Sequence, residues 1–164
     1  MKLAVFSDAH RNIKPMQAAV EELDNIDYLI YAGDGLDKVI NSKISEEFEI
    51  LAVRGNCDYG VGYPLEKVIK IAGVRIFLTH GNRYRIKRGF DQLYYRAQEV
   101  EADIVIFGHT HCRYVQEIDD LLLFNPGSIS KPRDNNGFSY GLLEITDSDI
   151  NYQHCGLSNY QKWR

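Results

Sequence analysis

This chain of 164 residues is poor in cysteine, and its few cysteines follow no binding pattern. Cys57, Cys112 and Cys155 are odd in number and form no CxxC spacing. A small fold held together by disulfides, or a structural zinc site built from thiolates, needs paired or closely spaced cysteines. Both classes are therefore excluded.

The sequence also lacks a long hydrophobic run. The apolar start of the chain is interrupted by Asp8 and His10, so it is too short for the hydrophobic region of a signal peptide. No apolar stretch approaches the roughly 20 residues of a transmembrane helix. We therefore expect a cytoplasmic protein that has no membrane partner.

An excess of positive charge is missing as well. The 23 acidic and 19 basic side chains give a formal net charge of -4, whereas nucleic-acid-binding proteins usually carry a basic face. We therefore expect no stable nucleic-acid partner.

The length and the hydrophobic fraction of 45% suit one globular domain, which we place at residues 1–164.

Apolar strands alternate with amphipathic helices over the first two thirds of the chain, and short strands typical of a β-meander follow. The predicted helices cover residues 14–23, 36–45 and 90–100. The predicted strands cover residues 3–6, 28–32, 49–53, 65–72, 74–79, 104–107, 113–118, 121–124, 139–145 and 150–154. This order indicates an α/β fold with a mixed sheet, or with two sheets packed together between helices.

Five of these strands end in side chains that can bind metal ions. The candidate ligands are Asp8, His10, Asp34, Asn56, His80, His109 and His111. Loops from several strands converge at the carboxyl ends of the strands in α/β sheets, so we expect a single site there. Four of these strand ends also carry a glycine, which lets backbones crowd around a small site.

Seven donors fit two metal ions better than one. Imidazole, carboxylate and amide donors without a thiolate suit divalent Mn, Fe, Co, Ni or Zn, and we expect two such ions per chain, with manganese favoured. Two ions roughly 3.5–4 Å apart that share a carboxylate form the arrangement used for phosphoester hydrolysis. Asp34, at the middle strand end, is the natural bridging ligand because its carboxylate has two oxygens to share.

In their order and spacing, these motifs resemble those of the calcineurin-like metallophosphoesterases. The matching residues are Asp8-x-His10, Gly33-Asp34, Gly55-Asn56, His80 and Gly108-His109-x-His111. The small size of the chain, together with residues 55–58 and 125–128, is similar to the YfcE-type branch of single-domain phosphodiesterases. The resemblance covers about residues 1–146. It implies an αββα sandwich of two mixed sheets flanked by helices, with the site at the carboxyl ends of the strands.

The resemblance also implies how the metals are held. One ion would be bound by Asp8, His10, Asp34 and His111, and the other by Asp34, Asn56, His80 and His109. A water or hydroxide that bridges the two ions would attack the phosphorus of a small phosphodiester substrate. The predicted catalytic residues are Asp34, Asn56 and His80.

Two alternatives stay open at this point. The first is a phosphomonoesterase that uses the same site. The second is a non-catalytic metal-binding scaffold or protein-interaction subunit, because some relatives with this fold serve in that way. Scaffold relatives tend to have lost the residue at the position of His10, which this chain keeps. The enzyme is therefore the favoured interpretation.

The sequence departs from the family pattern at two positions. Cys57 stands where many relatives have a histidine that is assigned as general acid, and Asn82 stands where a second histidine often follows. A cysteine is a poor proton donor to an alkoxide at neutral pH. We therefore expect substrates with good leaving groups, or another acid.

Several polar residues near the motifs are candidates for substrate binding or support. Arg11, Asn12 and Arg83 are the predicted substrate contacts, because they lie within a few residues of the motifs and can hydrogen-bond a phosphate. Arg85 and Arg113 could also clamp a phosphate, and Asp58 would orient a metal-bound histidine or start a turn. Residues 125–128 would support the site. His154 lies apart from the motifs in a late polar strand and is expected to be a surface or core histidine.

Paired tyrosines suggest a contact between subunits. Tyr94 and Tyr95 follow one another on a predicted helix, and aromatic residues are enriched in protein interfaces. A homo-oligomer, either a dimer or a tetramer, is accordingly one expectation for this chain.

Overall fold

The computed structural model describes residues 1–157, which form two five-stranded sheets with helices on their outer faces. The strands of the described part are β1 (Lys2–Phe6), β2 (Tyr28–Tyr31), β3 (Ile50–Ala52), β4 (Glu66–Ile71), β5 (Val74–Thr79), β6 (Ile104–Ile106), β7 (Arg113–Ile118), β8 (Leu121–Pro126), β9 (Ser139–Ile145) and β10 (Ile150–Gly156). The helices are α1 (Lys14–Glu21), α2 (Leu36–Ile40), α3 (Ile44–Glu47) and α4 (Asp91–Glu99), with a 3-10 turn over Asn82–Tyr84. Residues 158–164, the end of the predicted domain, lie outside the described residues.

Both sheets mix parallel and antiparallel pairs. The first sheet has the order β10-β9-β1-β2-β3, in which β1, β2 and β3 run parallel. The second has the order β4-β5-β6-β8-β7, in which β5, β6 and β8 run parallel and both edge strands are antiparallel. The predicted fold class, two mixed sheets between helices, is therefore confirmed.

Alternating side chains explain why each sheet is buried on both faces. In β1, Leu3 and Val5 belong to the core between the sheets, whereas Ala4 and Phe6 belong to the core beneath α1. The strand β6 alternates in the same way between the central core and the core beneath α4. Two-sided burial accounts for the nearly continuous apolar runs of these strands.

Two predicted elements differ from the structure. The helix predicted over residues 36–45 is divided into α2 and α3, because the Ser42 hydroxyl donates to the Val39 carbonyl at 2.7 Å and lies 3.3 Å from the Ile44 amide. Such local hydrogen bonds compete with helix continuation. The predicted β-meander is instead two hairpins, β7–β8 in the second sheet and β9–β10 in the first.

The connection between these hairpins crosses from one sheet to the other beside the ends of the parallel strands. The Ile129 amide donates to the Ser7 carbonyl at 3.2 Å. The fold thus closes around that edge of the sandwich. Among residues 1–157, every helix is too short or too polar to span a membrane.

Candidate metal centre

Backbone hydrogen bonds bring the ends of the parallel strands together. The Asp8 amide, after β1, donates to the Gly33 carbonyl, after β2, at 3.0 Å. Between the sheets, Nδ1 of His80, after β5, lies 2.7 Å from the Ala32 carbonyl oxygen. The loops predicted to converge at one edge of the sandwich therefore do so.

The donor atoms of the predicted ligands form two tight groups that share Asp8. Within each group, the donor atoms lie within 4.8 Å of one another. The groups are Asp8 with His10 and His111, and Asp8 with Asp34 and His80; a third group joins His10 and Asp34 to the Cys57 thiol. The Nε2 atoms of His10 and His111 are only 3.1 Å apart. The structure thus brings five of the seven predicted ligands into contact distance.

Two of these histidines are held in the tautomer that a metal requires. Nδ1 of His80 and Nδ1 of His111 each lie 2.7 Å from a backbone carbonyl oxygen, that of Ala32 and that of Lys131. Because a carbonyl can only accept, Nδ1 must donate, and Nε2 of the neutral ring then carries the free lone pair. Carbonyl partners of this kind orient metal-bound histidines in many proteins.

Buried atoms without partners face the two groups. Within the described part of the chain, Asp8 Oδ1 and His80 Nε2 are buried and make no hydrogen bond. Leaving one such group unsatisfied costs about 1–3 kcal/mol, and more if it is charged. A divalent cation would satisfy both atoms and offset the carboxylate charges of Asp8 and Asp34. These residues therefore fit the metal that the sequence predicts.

Hydrogen bonds to Oδ2 orient the carboxylate of Asp8. Oδ2 accepts hydrogen bonds from the Ser7 hydroxyl at 2.7 Å and from the His109 amide at 3.1 Å. The free Oδ1 is left 3.2 Å from His111 Nε2. Ser7 and the His109 backbone thus act by holding Asp8 in place.

Five of the candidate ligands have left-handed backbone conformations, with φ between 50° and 66°: Asp8, His10, Asp34, His109 and His111. This conformation costs an L-residue on the order of 1 kcal/mol, so it persists only where surrounding contacts enforce it. Here the Ser128 and Ser130 hydroxyls donate to the Asp8 carbonyl at 2.8 and 3.1 Å. Strain concentrated in this way is typical of functional sites.

His109 and Asn56 lie at the periphery of the two groups. The His109 ring is 5.1 Å from the His80 ring, measured between centroids. Asn56 is exposed, and its amide nitrogen is 3.3 Å from Cys57 Sγ. Cys57 in turn donates its backbone N–H to Asp34 Oδ1 at 2.8 Å. Metal binding by His109 and Asn56 stays a prediction.

Burial keeps two of the histidines neutral. Burial, with the positive charges of His80 and Lys87, lowers the pKa of His109 to about 4. Burial also lowers the pKa of His10, and the nearby Asp8 only partly opposes it. A neutral imidazole is the form that binds metal ions. Burial and Asp34 together raise the pKa of the Cys57 thiol to about 11, so this side chain is protonated at neutral pH.

His80 and Asp34 form a charge pair. Burial disfavours the charged form of both side chains. His80 and the Cys57 N–H nevertheless lower the pKa of Asp34. Asp34 and Asp8 raise the pKa of His80. His80 Nε2 and Asp34 Oδ2 lie 3.4 Å apart. A metal ion that binds Nε2 therefore has to compete with a proton, as is usual for histidine ligands.

Asp58 organises two of the ligand-bearing loops. Its carboxylate contacts backbone rather than a histidine, and it accepts four N–H groups at 2.7–2.9 Å. The donors are the amides of Asp34, Gly35, Leu36 and Gly55. Asp58 thus ties the loop after β2 to the loop after β3 and satisfies the first amides of α2. The sequence did not indicate this role, because it depends on contacts between distant loops.

Replacing Asp58 with asparagine is expected to lower the free energy of unfolding by about 2 kcal/mol. The amide nitrogen of asparagine would face backbone donors, and two buried N–H groups would lose their acceptor. Urea denaturation measures the change. Asp24→Asn is the matched control, since Asp24 is exposed, and it should change stability by less than about 0.5 kcal/mol. Equal effects of the two variants would contradict the organising role of Asp58.

The predicted substrate contacts have different surroundings. Arg11 lines a cavity of about 610 Å³ together with His10, Cys57 and Tyr59. Asn12 is used locally, because its side-chain oxygen lies 3.3 Å from the Lys14 amide at the start of α1. Substrate contacts by Arg11 and Asn12 stay predictions.

Arg113, which sequence reasoning also considered for a phosphate, is engaged elsewhere. Its Nε and its backbone amide both donate to Asp134 Oδ2 at 3.0 Å. The guanidinium therefore forms an ion pair with Asp134 through Nε, while its buried Nη2 has no hydrogen-bond partner among the described residues.

A second cavity borders the centre on the side of His109. Its volume is about 340 Å³, and its lining residues are Arg85, Lys87, Arg88 and His109. The predicted contact Arg83 is exposed and is not one of these lining residues. Sequence reasoning missed Lys87 and Arg88. The available signal was the density of cations in residues 83–88.

The segment predicted to support the site does so. Asn125 Nδ2 donates to the Gly108 carbonyl at 2.8 Å and to Thr110 Oγ1 at 3.1 Å, which fixes the turn that carries His109 and His111. His154 contacts the backbone of Asn125, and its Nε2 lies 2.7 Å from the Asn125 carbonyl oxygen. His154 thus has a structural contact, whereas the sequence suggested only a surface or core histidine.

Known proteins resemble this chain over nearly its whole length. Phosphodiesterase YfcE of Escherichia coli is 28% identical to this chain, and the matched region covers 92% of this chain and 89% of YfcE. A predicted phosphoesterase of Streptococcus pneumoniae has a crystal structure that matches with a TM-score of 0.83 at 31% identity, over 94% of this chain and 88% of that one. A mutant Vps29 of Entamoeba histolytica matches with a TM-score of 0.78 at 25% identity, over 96% and 99%.

The family comparison agrees with the motifs. The calcineurin-like phosphoesterase superfamily domain matches residues 1–148. The resemblance to this family and to its YfcE-type branch is thus confirmed. With its two mixed sheets and its histidine and aspartate groups at the strand ends, the chain belongs to the calcineurin-like phosphoesterase superfamily.

Proposed function

We propose that this protein is a divalent-metal-dependent phosphodiesterase with a dinuclear centre. One observation carries the proposal: two groups of donor atoms adjoin at one edge of the sandwich and share Asp8. The buried Asp8 Oδ1 and His80 Nε2, which lack hydrogen-bond partners among residues 1–157, face the same place. Two adjoining groups support two ions rather than one.

The proposed ligands are those of the family pattern. Asp34, which lies in one donor group with His10 and in another with His80, would be a ligand of both ions, and the other ligands would be Asp8, His10, Asn56, His80, His109 and His111. Manganese is the metal we favour, although oxygen and imidazole donors without a thiolate suit Fe, Co, Ni and Zn as well. When bound, the ions would lower the pKa of a water molecule and neutralise the phosphate oxygens.

The protein itself contributes position and charge. The Ala32 and Lys131 carbonyls fix the rings of His80 and His111, so that Nε2 of each faces the centre. Asp34 is kept ionised, because the charge of His80 and the Cys57 N–H outweigh the effect of burial on its pKa. Arg11 lines the adjoining cavity, where it can hydrogen-bond a phosphate oxygen. Such preorganised charge is the main source of catalysis in hydrolysis of this type.

The two cavities that border the centre support a diester. One contains His10 and the other contains His109. A phosphodiester carries two organic substituents on phosphorus, and each could occupy one cavity. A monoester would need only one cavity. The substrate is accordingly a small diester, and its identity depends on what the two cavities accept.

Hydrolysis of an aryl phosphodiester and of the matching monoester tests this proposal. The protein is stripped of metal with a chelator, refilled with Mn²⁺, and assayed with bis(p-nitrophenyl) phosphate and with p-nitrophenyl phosphate. We expect turnover to depend on Mn²⁺ and kcat/KM to be higher for the diester. A higher value for the monoester would identify a phosphomonoesterase instead.

The second candidate is a non-catalytic interaction subunit of the same fold. The structural similarity to Vps29 is the observation that favours it. Retention of His10 within the first donor group favours the enzyme. Absence of turnover on both esters, with two metal ions bound per chain, would support this second candidate.

A further inference from the structure

The cationic side chains are unevenly distributed along this acidic protein. Residues 67–90 contain seven lysines and arginines and no acidic residue, although the whole chain has a net charge of -4. Four of the seven stand in residues 83–88, immediately after the strand end that carries His80. A concentration of one sign of charge beside a site attracts ligands of the opposite sign.

The backbone of this cationic loop is firmly anchored. Ile86 is buried in the core beneath α4. Tyr84 packs edge-on against Phe77 and donates its hydroxyl to Glu66. Its backbone amide donates to the Gly81 carbonyl at 3.0 Å. Side chains that alternate with anchors of this kind are presented in a defined place, which lowers the entropic cost of binding a ligand.

The cations of this loop are free to bind. Arg83, Arg85, Lys87 and Arg88 are all exposed, and within residues 1–157 no ion pair involves any of them. The half-buried Arg96, in contrast, pairs with Glu66 and Glu99 at 3.0 Å. The loop therefore presents positive charge that the protein does not itself neutralise.

The cations converge on one cavity next to the metal centre. Arg85, Lys87 and Arg88 line a cavity of about 340 Å³ whose remaining lining residue is His109. His109 is also a predicted metal ligand, and its ring lies 5.1 Å from that of His80. A group bound in this cavity would thus lie beside the phosphorus of a substrate at the metal centre, as a second group of the same small molecule could.

We propose that Arg85, Lys87 and Arg88 form a subsite for a second phosphate group, so that the substrate is a small phosphodiester carrying a further phosphate. This inference rests on the proposed phosphodiesterase function. Three cations in one cavity would bind the two or three oxygens of a terminal phosphate through charge-assisted hydrogen bonds. A long nucleic acid is disfavoured, because the cavity is small and the rest of the protein is acidic.

A matched pair of nucleotide esters tests this subsite. The p-nitrophenyl ester of thymidine 5′-phosphate has one phosphorus, and the same ester of thymidine 3′,5′-bisphosphate adds a 3′-phosphate. Both release p-nitrophenol when water displaces the aryl group. With the Mn²⁺-loaded protein, we expect the 3′-phosphate to raise kcat/KM by about tenfold or more, mainly through a lower KM.

Two double variants locate the effect. Lys87→Gln/Arg88→Gln should abolish the preference for the 3′-phosphate, so that the ratio of kcat/KM for the two esters falls to about one, whatever the change in hydrolysis of the simpler ester. Lys43→Gln/Lys70→Gln removes the same charge from exposed positions outside both cavities and should keep the preference. A preference that both double variants lose equally would show general attraction instead of a subsite.

The outcomes separate this inference from the function on which it rests. Equal kcat/KM for the two esters in the unmodified protein would overturn the subsite but leave the phosphodiesterase intact. No hydrolysis of either ester, or of bis(p-nitrophenyl) phosphate, would overturn the proposed function itself. A preference that survives Lys87→Gln/Arg88→Gln would show that the second phosphate binds elsewhere.

Discussion

Replacing Asp34 with asparagine is expected to remove both metal ions together and to lower phosphodiester turnover by at least about 10³-fold. Asp34 is almost completely buried, and its two oxygens face different partners. Oδ1 accepts the Cys57 N–H at 2.8 Å, whereas Oδ2 lies 3.4 Å from His80 Nε2. An asparagine keeps the size of the side chain but loses the charge and one of the two acceptor oxygens that a bridging ligand needs.

Metal content and stability are measured on the same samples. Mass spectrometry of metals after dialysis gives the number of ions per chain, and urea denaturation shows whether the variant is folded. Asp24→Asn is again the control, since it removes an exposed carboxylate, and it should keep both metals and full turnover. If Asp34→Asn retained close to two ions per chain, the bridging role would be wrong, whatever happened to the activity.

Much of this site could be predicted because its ligands follow buried strands. The end of each apolar run in β1, β2 and β6 shows in the sequence where the strand ends. Because the strands run parallel, their carboxyl ends lie at one edge of the sandwich. Asp8, Asp34 and His109 are therefore located by local pattern alone. Their residue types then indicate a metal centre, because imidazole and carboxylate groups are metal ligands and clusters of them have few other uses.

The contacts that hold the ligands could not be predicted, because they join distant segments through backbone groups. The Lys131 carbonyl that orients His111 comes from a connection 20 residues further along the chain. Any residue could supply that carbonyl, so no side chain signals it. The same applies to Asp58, whose four partners are all backbone amides.

The cavity beside His109 shows another limit of sequence reasoning. Arg83 and Lys87 stand in the same cationic run, yet only Lys87 lines the cavity. The difference arises from the path of the loop, since Arg85 has a left-handed backbone with φ 51° and Ile86 is buried between its neighbours. A change of direction within six residues decides which cations meet the site, and composition does not reveal it.

Replacing Gly108 with alanine is expected to weaken metal binding by about 10–100-fold and to destabilise the protein by about 1–3 kcal/mol. A Cβ atom on Gly108 would lie 1.9 Å from Ser7 Oγ and 2.8 Å from Asp8 Oδ2. Both contacts are closer than real Cβ atoms allow, so the Ser7 hydroxyl has to move. That hydroxyl and the His109 amide orient Asp8, so the metal ligand would lose its alignment.

A matched glycine separates this effect from the general cost of adding a methyl group. A Cβ atom on Gly62 would meet no heavy atom within 4 Å, and the φ of Gly62 is not left-handed, so Gly62→Ala should leave metal affinity and stability within measurement error. Isothermal titration of each variant with Mn²⁺ gives the affinities. Gly108 supplies no ligand atom to the metal. A loss of Mn²⁺ affinity in Gly108→Ala but not in Gly62→Ala would therefore mean that the centre depends on close packing of the loops after β1 and β6. Unchanged Mn²⁺ affinity in that variant would instead show that Asp8 is aligned without Ser7.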